Sequence, residues 1–368
     1  MKIVVTGSNG FIGQNLCATL REYDHYEVYE VHRDTSEKDL QVYLSSADFL
    51  FHLAGINRPQ EISEFATGNV DLTKLIVETL QKFKRNIPIV FSSSAQVEQD
   101  NPYGKSKLGA EKVIENYSAS TGALHYIYRL PNVFGKWCKP NYNSFIATFC
   151  NNIMKGSEIS INNPSAPVNL VYIDDLCASW LELLEGNVKP GFNKVPVEFN
   201  TTVGEVADII GSFKASRPTL ITEPVGSGLT RALYATYLSY ARPKDFSYYI
   251  PSYADNRGVF CEMLKTKDSG QFSYFTALPG ITRGGHYHHT KNEKFLVIKG
   301  QAEFKFENIS TAERHQLTVS GDSPEVVETV PGWSHDITNT GDEELIVMLW
   351  ANEIFDRDRP DTFAKELF

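Results

Sequence analysis

Apolar residues follow two different rhythms along this chain. In the first two-thirds, short continuous apolar runs such as "KIVV" at residues 2–5, "DFLF" at 48–51 and "PIVF" at 88–91 alternate with helically spaced stretches. After the first run, Phe11, Ile12, Leu16 and Leu20 fall on one helical face. Buried strands alternating with amphipathic helices predict an α/β domain built on a parallel sheet. Beyond Pro243 the rhythm changes to short strands, among them "FSYFTAL", "KFLVIKGQAEFKF", "HQLTV" and "ELIVMLW", punctuated by Gly, Pro and Asp. Short strands without intervening helices predict a small all-β barrel or jelly roll. The expected division is therefore 1–243 and 244–368, with no internal repeat and no low-complexity segment.

The turn after the first strand, "TGSNGFIG", carries Gly7, Gly10 and Gly13 between a strand and a helix. Glycines there allow a tight turn and let the helix N-terminus approach a pyrophosphate. The second strand, "YEVYEVHR", ends in His32 and Arg33, where an NAD site offers a carboxylate to the ribose 2′-hydroxyl. Arg33 suits a 2′-phosphate instead, which favours NADPH. Residues 33–48 form a short connection, predicting an open adenine side.

In "NPYGKSKLGAE", residues 101–111, Tyr103 and Lys107 share a helical face. A nearby ammonium is expected to lower the phenol's pKa so that it can move a proton. Ser94, from "FSSS" at a strand end, would hydrogen-bond the substrate oxygen. Hydride transfer to a ketone needs such a set. A lone YxxxK is common by chance, but here it follows the glycine turn, "HLAG" and "SSS", and precedes "RLPNVFGKW" and "VYIDDL". In that order the first ~180 residues resemble the extended short-chain dehydrogenase/reductase family, a Rossmann-type fold. The resemblance implies cofactor contacts at Gly7, Gly10, Phe11, Ile12, Arg33, Leu53, Ala54, Gly55, Tyr103 and Lys107. It also implies substrate roles for Ser94 and Asn132. Family substrates are often nucleotide-activated sugars, held by the segment after the sheet, here about 140–243.

Three of the nine histidines crowd into "GHYHH". On a strand His286 and His288 face one way and His289 the other. With Glu293 and a returning His335 they could converge inside a barrel, a donor set suited to Zn²⁺ and also to Fe, Ni or Mn. The arrangement G(x5)HxH(x4)E(x6)G, then PG(x2)H(x3)N, resembles both motifs of the cupin family. "DNRGVFCE" with "RGGHYHH" is also similar to the metal-free sugar-nucleotide 3,5-epimerases, in which the residue matching His286 is the general base and Lys294 matches a conserved lysine. Glu293 and Lys294 point oppositely on a regular strand, and the uniformly apolar "FLVI" after them does not decide which faces inward. The ligand pattern favours the metal, leaving His286 as fourth ligand or base. Tyr287 and His289 read as scaffold, His25 and His125 as structural, and His315 as exposed.

A net charge of −10 argues against a nucleic-acid surface. The five cysteines, Cys17, Cys138, Cys150, Cys177 and Cys261, show no CxxC spacing and read as free thiols of a reducing compartment. No apolar stretch reaches the roughly 18 residues of a membrane span, and the expected location is cytoplasmic. Over its whole length, through "HLAGINRP", "HHTKNEKFLV" and "NEIFDRDRPDTF" among others, the chain resembles the bifunctional capsular polysaccharide enzymes of the UDP-N-acetyl-L-fucosamine pathway. That resemblance implies a zinc cupin that epimerises UDP-2-acetamido-2,6-dideoxy-β-L-arabino-hexos-4-ulose at C3. NADPH-dependent reduction at C4 to UDP-2-acetamido-2,6-dideoxy-β-L-talose would follow, in a homodimer. Two alternatives stay open: a 4-ketoreductase with a non-catalytic sensing or structural cupin, and a non-redox NAD-dependent sugar epimerase or dehydratase.

Overall fold

The short apolar runs become a parallel sheet. Strands β1 (Lys2–Thr6), β2 (Glu27–Val31), β3 (Phe49–His52), β4 (Ile89–Ser94), β5 (His125–Leu130) and β6 (Gly191–Asn193) lie in the order β2-β1-β3-β4-β5-β6. The α-helices among the described residues are α1 (Phe11–Leu20), α2 (Glu37–Ser46), α3 (Leu72–Lys82), α4 (Pro102–Thr121), α5 (Phe145–Met154), α6 (Ile173–Leu184), α7 (Val203–Thr219) and α8 (Gly228–Leu238). This computed structural model describes residues 1–250, 253–255, 258–260, 264–266, 270–353 and 358–368. Cys261 and part of the "DNRGVFCE" stretch lie outside the described residues.

Two units emerge, Met1–Val133 with Asn169–Phe199, and Phe134–Val168 with Asn200–Phe368. In the first, β3 and β4 are buried at every position, as expected of strands covered on both faces. The strand order turns back between β1 and β3, which opens a crevice beyond their C-terminal ends. Gly7 follows β1 there and Leu53–Gly55 follows β3. The short 33–48 connection still holds a ten-residue helix, α2, capped by the Ser36 side chain. The expectation of little room was therefore too strict.

Helix α4 starts where Asn101 accepts a hydrogen bond from the Gly104 amide and Pro102 occupies the first turn. It stops at Gly122, whose φ of 73° is left-handed. These signals put Tyr103 and Lys107 in its first two turns.

In the second unit, β7 (Ser247–Tyr249), β8 (Gln271–Ala277), β9 (Thr282–Tyr287), β10 (Glu293–Lys299), β11 (Gln301–Asn308), β12 (Arg314–Ser320), β13 (Glu325–Glu328), β14 (Trp333–Asn339), β15 (Leu345–Ala351) and β16 (Phe363–Ala364) form two antiparallel sheets. Their orders are β7-β13-β10-β15-β8 and β12-β11-β14-β9-β16. Phe295, Val297, Val327 and Val347 of one sheet pack with Phe304, Phe306 and Ile337 of the other. The result is the expected jelly roll. Strand β10 is buried on both faces, since Lys294 and Leu296 are 2% and 4% exposed although they point away from that core. Lys294 pairs with Glu328, which also accepts from Arg217 of α7, so helices of this unit cover the outer face. Double coverage explains the apolar run Phe295–Val297, whereas Ile298 at the strand's end is exposed.

Among the described residues, no helix is long and apolar enough to cross a membrane. Cys17, Cys138, Cys150 and Cys177 are buried thiols outside any disulfide.

Candidate functional site

The β1–α1 turn is built around backbone proximity. A side chain on Gly7, at φ +72°, would meet the Ala54 backbone at 2.8 Å, and one on Gly13 would lie 2.2 Å from the Gly7 carbonyl. Only glycine fits either position, and α1 begins at Gly10 with no side-chain cap on its amides. Gly7, Gly10, Ala54, Gly55 and Arg33 line a cavity of ≈ 540 Å³ with His32, Thr35 and Leu40. Arg33 is exposed at its rim and no carboxylate follows β2 directly, the next acids being Asp34 and Glu37. Uncapped helix amides, glycines and a guanidinium form a place for a nucleotide's phosphates.

A second cavity, sharing Gly55, is lined by Ile12, Leu53, Asn57, Ser94, Tyr103 and Lys107. Phe11 and Gly13 line neither cavity. Pro131 and Val133 line the second one, but Asn132 between them is exposed and donates its amide to the Asn169 carbonyl at 3.4 Å. Sequence reasoning missed Asn57, which follows "HLAG" without any spacing signal. It also missed Asn69, whose side chain holds both the amide and the carbonyl of Ile56 and donates to Ser106.

The electrostatics differ from expectation. Burial raises the Tyr103 phenol, offset by its hydrogen bond with Ser94, and Lys107 does not lower it. Lys107 instead donates to the Ser92 carbonyl at 2.8 Å and lies over the Phe91 ring. Burial pulls its ammonium down to about 8, with Glu111 resisting. The final residue of "YGKSKLGAE", Glu111, is occupied structurally, accepting from Ser93 and from two nitrogens of Arg129.

In the barrel, His286 lies one residue before the end of β9, His288 and Glu293 flank the turn into β10, and His335 lies on β14 opposite His286. Their donor atoms all lie within 4.8 Å of one another. Glu293 Oε2 sits 3.2 Å from His288 Nε2 and 3.3 Å from His335 Nε2. The rings of His286 and His335 are 4.8 Å apart. His335 is buried, and neither of its ring nitrogens has a well-formed hydrogen bond among the described residues. Burial and the neighbouring imidazoles push His286 down to about 4, so it is neutral near pH 7. Burial opposes ionisation of Glu293, yet His288 and His335 hold its carboxyl well below the usual range. Three clustered imidazoles, one carboxylate and the buried His335 nitrogens fit a divalent metal ion.

Glu293 is thus the residue that joins the histidines, while Lys294 faces the helices, bonded to Glu328 and to Tyr248. Tyr287 and His289 pack on Phe363, away from the donor cluster. His315, read as exposed, is half-buried against Phe246 and Phe306.

Residues 3–193 match the NAD dependent epimerase/dehydratase family, and residues 253–363 match the polysaccharide biosynthesis C-terminal domain. The chain is 52% identical to the UDP-2-acetamido-2,6-beta-L-arabino-hexul-4-ose reductase of Pseudomonas aeruginosa, across 99% of this chain and 98% of that one. The crystal structure of the capsular polysaccharide assembling protein CapF from Staphylococcus aureus superposes with a TM-score of 0.69 at 44% identity, covering 100% of both chains. The UDP-glucuronic acid 4-epimerase of Bacillus cereus, at 19% identity and TM-score 0.53 over 58% of this chain and 84% of its own, shares the fold alone. The chain belongs to the NAD dependent epimerase/dehydratase family, in a form that carries a polysaccharide biosynthesis domain at its C-terminal end.

Proposed function

We propose that the chain is a bifunctional nucleotide-sugar enzyme of surface-polysaccharide precursor synthesis, acting on UDP-2-acetamido-2,6-dideoxy-β-L-arabino-hexos-4-ulose. The observation that carries this reading is the coexistence in one chain of the Ser94–Tyr103–Lys107 cavity and the His286–His288–Glu293–His335 cluster. The 52% identical relative is named a reductase of that 4-ketosugar, which supports the substrate class.

Residues 244–368 perform the first step. A 4-keto group acidifies the hydrogen at C3; a base removes it and reprotonation on the other face inverts the centre. His288, Glu293 and His335 would hold the metal, with His286 as either fourth ligand or base. Zinc is the ion we propose, and when bound it would supply Lewis-acid chemistry for a carbonyl oxygen. His286, neutral at physiological pH, can accept a proton if it is left uncoordinated.

Residues 1–243 perform the second step, with 140–243 contributing to sugar binding. When bound, NADPH would supply the hydride for C4, and Arg33 would hold its 2′-phosphate. Tyr103 delivers the proton to O4, Ser94 hydrogen-bonds the same oxygen, and Lys107 fixes the cofactor ribose. The product is the UDP-2-acetamido-2,6-dideoxy-β-L-talose, which no longer has the ketone that makes C3 labile. Reduction therefore draws the epimerisation forward. Buried thiols outside any disulfide support a reducing, cytoplasmic setting, and a homodimer is the assembly we propose.

Proton NMR of the 4-ketosugar in D₂O, with enzyme but no NADPH, tests the assignment. Deuterium should enter C3, and chelation should stop it. Intact NADPH oxidation without C3 exchange would leave a 4-ketoreductase with a non-catalytic barrel.

A further inference from the structure

The turn between β9 and β10 carries a metal donor at each end, His288 and Glu293, and it is held by a residue more than sixty positions later. The Asp361 carboxylate accepts from the amides of His289, Thr290 and Lys291 at 2.9, 2.8 and 2.6 Å, and from the Thr290 hydroxyl at 3.0 Å. Three successive amides aimed at one carboxylate form an anion nest. The Asp361 main-chain carbonyl meets His288 Nδ1 at 2.5 Å. A carbonyl can only accept, so Nδ1 carries the proton and Nε2 keeps its lone pair towards Glu293. Asp361 itself sits at φ 39°, a left-handed conformation unusual for a residue with a side chain. Lys291 holds the flanking chain by donating to the Pro360 carbonyl and the Thr362 hydroxyl. Further on, the Lys365 amide donates to Gly285 on β9, and Ser334 on β14 donates to the Lys365 carbonyl. The tail thereby touches all three segments that supply the donors.

We propose that Asp361 is a positioning residue for the barrel's metal: its carboxylate shapes the 289–291 turn while its carbonyl sets the tautomer and aim of His288. This inference rests on the metal reading given above. Partners that orient a metal-bound imidazole through its other nitrogen typically change metal affinity by about 10- to 100-fold when lost.

The test measures Zn²⁺ affinity of the full-length protein by competition with a chromogenic chelator, first for the unaltered chain and then for Asp361→Ala. The variant should bind about 10- to 100-fold more weakly, with NADPH affinity at the other unit unchanged. Added acetate or formate should restore part of the loss by refilling the nest, which a general loss of folding would not permit. Affinity within about twofold of the unaltered chain overturns the proposal. If the unaltered chain binds no Zn²⁺, the metal reading fails first and this proposal falls with it, a result distinct from a variant that binds normally. Should Asp361→Ala not fold, imidazole ¹⁵N spectra of the unaltered metal-free protein decide, with His288 assigned through His288→Gln. Protonation at Nδ1 with a free Nε2 supports the proposal, and the opposite tautomer overturns it.

Discussion

The two chemical centres of this chain are assembled in different ways. In the sheet unit, Tyr103 and Lys107 stand one turn apart on α4, and Ser94 ends the strand that leads towards it. In the barrel, His286, His288 and Glu293 come from one short stretch that links the two sheets, but His335 arrives from β14 and the clasp at Asp361 from the tail. The first set of residues lies within one short span of sequence, whereas the second needs strands and a tail far apart in it. Damage to one centre should therefore leave the other working.

The strongest break in this comparison is Tyr103→Phe. Removing a general acid typically costs 10²- to 10⁴-fold, so NADPH oxidation should nearly vanish while C3 deuterium exchange continues. Loss of both activities, followed by NMR and absorbance at 340 nm on the same sample, would end the proposed division of labour.

The converse break is His335→Ala. It should cost most of the bound metal and with it C3 exchange, leaving NADPH affinity unaltered. Metal content by atomic absorption and NADPH titration together check it. Retained stoichiometric metal would return the barrel to the metal-free epimerase reading.

How much could be read in advance follows the same division. The glycine turn, the YxxxK helix and the HxH(x4)E segment are local in sequence, so periodicity and spacing made them visible. Whether Glu293 or Lys294 faced the histidines was not legible, because at Lys294 and Leu296 the outer face of β10 is as dry as its inner face. Alternation marks a strand only when one face is wet. Asp361 left no trace for a related reason: it works through backbone amides, which carry no sequence signature. The pKa of Tyr103 was misjudged because a shared helical face does not bring two side-chain tips together, and Lys107 is spent on the Ser92 carbonyl.

A smaller effect is expected where the barrel meets its own helices. Glu328 is buried between Lys294 and Arg217, and burial raises its carboxyl while the two cations more than offset it. Glu328→Gln leaves Lys294 buried without its counter-charge. Stability of the second unit should fall by about 3–5 kcal/mol, since breaking a buried pair strands the remaining ion. Thermal or urea unfolding followed by tryptophan fluorescence reads this, and the α4 site should be indifferent to it. A loss below ~1 kcal/mol would mean that Lys294 reaches water or another partner when Glu328 is neutral.

The smallest effect sharpens the comparison through pH. Lys107 is held down at about 8 by burial, whereas His286 sits near 4. For an amine the charged form lies below its pKa. Lys107 is thus mostly ammonium at pH 7 and mostly neutral at pH 9, while His286 is neutral at both. NADPH carries phosphates that favour the ammonium, so its affinity should weaken from pH 7 to pH 9. The change should be no more than about tenfold per pH unit for one proton. Lys107→Met should flatten the profile and weaken binding at pH 7. Fluorescence titration of NADPH across this range checks both, and zinc retention over the same interval should be flat as far as His286 is concerned, since it is neutral throughout. A pH-independent NADPH affinity in the unaltered chain would mean that the Lys107 ammonium does not feel the cofactor, leaving Arg33 and the α1 amides as its main electrostatic hold.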